Sequence, residues 1–145
     1  MSYFAVNWLA IVAAVVASMA LGFGWYMALA KPWLASIGKT ADQINRADYT
    51  PYIWSVVVQL VMAYFVALLT PKLFGDVTVW NGILCGVHMW VGFVITAMIL
   101  NHRYEGAPWS RTAIDGGYIL GVLIVHGIVI GLFGGGAPMP PAPIA

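Results

Sequence analysis

Long apolar runs, broken by short polar stretches, dominate this chain. Four runs cover about residues 5–30, 51–70, 77–100 and 113–134. A helix needs about 20 mainly apolar residues to cross a bilayer. Each run meets that length, and none shows the alternation of a membrane β-barrel. The pattern predicts an all-α four-helix transmembrane bundle forming a single domain over residues 1–145. The first run has no basic leader and exceeds the usual apolar length of a signal peptide, so it reads as a retained span. Pro51 opens the second run, a position that suits proline. The Pro-rich tail, residues 135–145, cannot continue a helix and is expected to be extended.

The loops orient the bundle. Lys31, Lys39 and Arg46 fall between the first two runs, and Arg103 and Arg111 between the last two, whereas Lys72 stands alone on the other side. By the positive-inside rule both termini face away from the cytoplasm. Helical rather than β-barrel spans are expected of an inner (cytoplasmic) membrane. Trp25, Tyr26, Trp33, Trp54 and Trp80 lie near the ends of the runs, where amphipathic rings prefer to sit, and are expected to be interface anchors. Thr40 and Gln43 have capping-box spacing, which predicts a short helix from about 41 to 47, with another turn from Pro32 to Ile37. Thr112 and Asp115 share that spacing and predict a cap for the fourth span, with Asp115 near Arg111.

Composition sharpens the class. The chain is 62% hydrophobic and 8% charged, against roughly 25% charged for a soluble domain. That excludes a water-soluble globular fold, a disordered chain and a nucleic-acid binder. One cysteine, Cys85, excludes an internal disulfide.

Small residues recur at four-residue spacing. Ala10, Ala14, Ser18 and Gly22 form one stripe; Gly82 and Gly86 another; Gly117 and Gly121 a third; Gly127, Gly131 and Gly135 a fourth. In lipid, helices associate by close packing, so these stripes predict a tight bundle, a homo-oligomer, or both.

Two ionisable residues lie deep in the spans. His88 is about 12 residues from Leu100 and His126 about 13 from Ala113, which puts both roughly 18–20 Å from the basic end. Ser18 lies at a similar depth, Gln59 about a turn shallower, and Cys85 precedes His88 by three residues. One reading makes the imidazoles ligands, the two together of a haem iron, a copper or a zinc, or one of them of the magnesium of a chlorin. The other has neutral histidines hydrogen-bonded across the bundle to Ser18, Gln59 or each other. His102 reads as interfacial only. No acid falls at mid-depth and no nucleophile–base–acid set is present, so no enzyme is expected.

Three segments together carry a resemblance: LGFGWYMALAKPWLASIGKT at 21–40, NHRYEG at 101–106 and IDGGY at 114–118. They resemble the bacterial membrane-protein family designated domain of unknown function 1761, over about residues 5–134. The resemblance implies a small four-helix membrane protein and supplies no activity or cofactor. The expectation is a non-enzymatic structural or accessory subunit acting through helix–helix packing, within a larger membrane complex or a homo-oligomer, in contact with lipid and with other transmembrane helices. The first alternative is a tetrapyrrole- or metal-binding protein ligated by His88 and His126. The second is a small transporter or channel.

Overall fold

The computed structural model describes residues 3–134. The extended tail expected at 135–145, with Gly135 of the last stripe, lies outside them. Four helices are long and apolar enough to cross a membrane. The first, α1, is Trp8–Ala28. It starts later than the apolar run because the Asn7 side chain caps it, accepting from the Ala10 amide at 3.1 Å. It stops before Leu29, and a separate short helix, α2, takes Ala30–Ser36. The Thr40–Gln43 capping box is present, but it encloses one turn of 3-10 helix, Ala41–Gln43, rather than a helix to residue 47.

The second span, α3, is Thr50–Phe74 with Pro51 in its first turn. It runs on through Pro71 and closes at Gly75, whose φ of 88° is open to glycine. The third span is composite. Helix α4, Val79–Met89, passes through a π-helical turn, Trp90–Val94, into α5, Ile95–Tyr104. The last span, α6, is Trp109–Phe133. It begins four residues before the position expected. Thr112 and Asp115 therefore lie inside the helix, and neither is its cap.

Packing follows the small residues. Gly82 of α4 and Gly127 of α6 touch backbone to backbone, Gly86 lies against Leu123, and Gly131 against the Thr78–Val79 backbone. On the other side of α6, Gly117 takes the Trp25 ring, Gly121 takes Leu21, and Tyr118 covers Gly22. Ala10, Ala14 and Ser18 are fully buried. The core gathers Ile11 and Val15 of α1, Ala63 and Val66 of α3, and Leu123 and Ile130 of α6. Every predicted stripe within the described residues thus makes contacts inside one chain. Helix α6, which touches all the other spans, is the central element.

Candidate functional site

Two polar groups are held among these helices. The deeper one joins α1, α3 and α6. Ser18, Gln59 and His126 are all buried. The Ser18 hydroxyl lies against Gln59 Oε1 and 3.1 Å from the Val15 carbonyl oxygen, and its oxygen is 2.9 Å from His126 Nε2. With acceptors already facing the serine proton, the imidazole is the donor to Ser18, so Nε2 carries its proton. The bare Nδ1 is then the buried atom left without a partner. The Gln59 amide nitrogen donates to the Tyr118 hydroxyl at 2.9 Å, beside Met19 Sδ at 3.5 Å. The cluster ties three spans together at a depth where water is scarce, as expected of hydrogen-bonding glue between apolar helices.

His88 is elsewhere. It sits on an outward face of α4, exposed, with Nδ1 2.7 Å from the Leu84 carbonyl oxygen and its ring edge-on to Phe74 at 5.6 Å. The expected meeting of His88 with His126 does not occur. Gly82, Cys85 and Gly86 are the buried face of α4, and His88 is turned from it. Cys85 is buried and unpaired. Among the described residues no three His, Cys, Asp or Glu side chains converge as metal ligands. A purely apolar groove of about 510 Å³ opens between α1 and α3, walled by residues that include Met19, Phe23 and Leu60, and neither histidine lines it.

The second group lies at the basic end. Asp115 Oδ1 accepts from the Tyr26 hydroxyl at 2.8 Å and from the Trp33 indole at 3.2 Å. The Trp25 indole donates to the Ile114 carbonyl at 3.1 Å, and the Trp90 indole to the Gly116 carbonyl at 2.8 Å. Arg111 is 3.9 Å from Asp115 and 3.0 Å from Glu105. Tyr26 also meets the Tyr118 ring edge-on, with centroids 5.0 Å apart. Trp25, Tyr26 and Trp33 are therefore more than interface anchors, since their polar atoms point inward onto α6. Trp54 and Trp80 do lie exposed on the outer surface. His102, expected to be interfacial, is buried against Thr112, with Nδ1 2.8 Å from Oγ1.

Sequence reasoning did not find the roles of Tyr118 and Trp90. Tyr118 gave a signal, since it lies three residues after Asp115 and so shares its helix face. Trp90 gave none, because its orientation depends on the π-helical turn. Outside the membrane-spanning segments, Asp42 and Asp48 have carboxyls below the usual aspartate range. Hydrogen bonds from Thr40 to Asp42 and from Thr50 to Asp48 are the main causes.

No curated protein and no solved structure matches the chain. A model of one family, described as a protein of unknown function (DUF1761), matches residues 9–131. That span takes in the paired aromatic and IDGGY segments whose side chains meet at the basic end, and the chain belongs to this family.

Proposed function

We propose that this protein is a non-enzymatic accessory subunit of a larger membrane assembly, working by helix packing within a bacterial inner membrane, its basic end toward the cytoplasm. One observation carries the reading. The small-residue seams and the Ser18–Gln59–His126 cluster are enclosed, yet His88 turns outward near mid-span and, among the described residues, its Nε2 has no hydrogen-bond partner. A polar nitrogen facing hydrocarbon is costly, and a partner helix with a donor would relieve it. The test places a photo-crosslinking side chain at Val91, exposed one turn from His88. In native membranes it should join the chain to another polypeptide, and His88→Leu should weaken the adduct. Adducts to lipid alone, unchanged by that substitution, would overturn the proposal.

A second reading rests on the same residue. With Nδ1–H bonded to the Leu84 carbonyl, Nε2 offers a lone pair outward, the tautomer that axial ligands of haem or chlorin use. His126 is a poorer candidate, because Ser18 occupies its Nε2. An absorption band from protein purified in mild detergent, lost in His88→Leu and kept in His126→Leu, would favour this reading over a helix partner.

A further inference from the structure

The turn from α5 to α6 is closed by its backbone. Gly106 has a φ of 68°, and the Ala107 amide donates to the His102 carbonyl at 2.9 Å. This brings His102 and Arg103 against the first turn of α6. The Arg103 guanidinium lies 3.9 Å from the centroid of the Trp109 ring, and its NH2 group donates to Thr112 Oγ1 at 3.2 Å. Arginine only donates, so the threonine oxygen is the acceptor there. That oxygen has a second lone pair, but among the described residues the threonine proton meets no acceptor other than His102 Nδ1, 2.8 Å away, so the proton is assigned there and the imidazole proton to Nε2. The free positions of both side chains are therefore donors.

Among the described residues no carboxylate answers them. Glu105 and Asp115 are both within ion-pair distance of Arg111, and among the described residues Arg103 has no acidic partner. Its Nε is shielded and also lacks an acceptor. Around this donor pair Leu100, Tyr104 and Trp109 are exposed, at the level where α5 ends and α6 begins. Aromatic side chains such as Tyr104 and Trp109 at a helix end favour the headgroup layer of a bilayer.

We propose that Arg103 and His102 bind the phosphate of an anionic membrane lipid in the leaflet at the basic end. A phosphodiester supplies the missing negative charge and several acceptor oxygens, which suit a guanidinium fork beside an imidazole N–H. The exposed Leu100 side chain below the site faces the region of the acyl chains, which favours a lipid over free phosphate. Basic pockets at the ends of transmembrane helices hold anionic headgroups by this chemistry.

The test is native mass spectrometry of the full chain in non-ionic detergent, supplied with phosphatidylglycerol and phosphatidylcholine of matched acyl length. Phosphatidylglycerol should be retained preferentially. Arg103→Gln should cut that retention by about tenfold, as expected for loss of a charged hydrogen bond. Arg46→Gln, at an exposed loop position of the same end, should leave it unchanged. Should Arg103→Gln fail to accumulate, Arg103→Lys carries the same test with a smaller loss, since it keeps the charge and gives up the fork. Equal retention of the two lipids, unchanged retention in the Arg103 variants, or displacement by excess inorganic phosphate would each overturn the assignment.

Discussion

The Tyr26 hydroxyl donates to the Asp115 carboxylate at 2.8 Å and so ties the end of the first span to the last. The Trp33 indole donates to the same oxygen. The carboxylate acts here as a shared acceptor more than as an ion-pair partner, because Arg111 stands 3.9 Å away and part-exposed. Asp115→Asn keeps an acceptor oxygen and should melt close to the parent. Asp115→Ala strands two donors and should lose about 1–3 kcal/mol for each that stays buried. Tyr26→Phe should cost about 1 kcal/mol. Thermal unfolding in detergent checks the order. Equal losses for the Asn and Ala variants would show that the charge, not the acceptor, matters.

The Gly82–Gly127 contact makes a second prediction. A methyl group on either residue would run into the facing backbone, which cannot rotate aside. Gly82→Ala or Gly127→Ala should destabilise by about 1–3 kcal/mol, the usual cost of overpacking. Gly24 of α1 has no atom near the site of an added methyl. Gly24→Ala should be neutral or stabilising by up to about 1 kcal/mol through helix propensity. Midpoints of denaturation in mixed detergent micelles would rank the three.

How far the chain revealed this arrangement depends on the kind of signal. Span number and type were legible because length and apolarity fix them locally. The small-residue seams were legible as seams, but only the structure shows that Gly82 pairs with Gly127 and Gly117 with Trp25. Helix ends were less legible. Asn7 starts α1 late, and Trp109 starts α6 early, because a cap or a turn decides an end over one or two residues. The depth of His88 and His126 could be counted, whereas their facing could not. The one stands on the outer surface and the other in the interior, since depth along a helix says nothing of rotation about its axis.

The Ser18–Gln59–His126 cluster should behave as a coupled unit. Interhelical hydrogen bonds in membranes are worth about 0.6–2 kcal/mol. Ser18→Ala removes the acceptor of His126 Nε2–H and the partner of Gln59 together. His126→Leu removes the donor of that bond and leaves the Ser18–Gln59 contact. The double variant should lose less than the sum of the singles, by about 0.5–1 kcal/mol. Strict additivity in a double-mutant cycle would mean that the hydrogen bond between them contributes nothing.

Asp48 accepts from the Thr50 amide at 2.9 Å just before α3 begins. The Thr50 side chain depresses its carboxyl most, with the backbone amide second. A carboxylate whose folded-state value is lowered adds stability above its unfolded pKa, about 3.9, and loses it as pH falls through the folded value. The side chain is fully exposed, so the effect is local. A carbon-13 titration should place the Asp48 midpoint below that of ordinary aspartate, and Thr50→Val should raise it. An unshifted midpoint in the parent chain would contradict the hydrogen bonding between Thr50 and Asp48.

The direction of insertion is open to a direct measurement. The α5–α6 turn with the helix ends that flank it, carrying Arg103 and Arg111, and the loop between α2 and α3, carrying Lys39 and Arg46, lie at one end, while Lys72 lies at the other. Translocation of short basic loops is disfavoured, so the end with more Lys and Arg should stay in the cytoplasm. Buried Cys85 is replaced by alanine to clear the background. Single cysteines are then placed at the exposed positions Lys39, Tyr104 and Asp76. In intact cells a membrane-impermeant maleimide should label Asp76→Cys alone, and in inverted vesicles Lys39→Cys and Tyr104→Cys alone. Labelling of Lys39→Cys from outside intact cells would reverse the orientation. Labelling of Lys39→Cys and Tyr104→Cys from opposite sides would contradict the bundle itself, because the Trp33–Asp115 hydrogen bond requires α2 and the start of α6 at the same end.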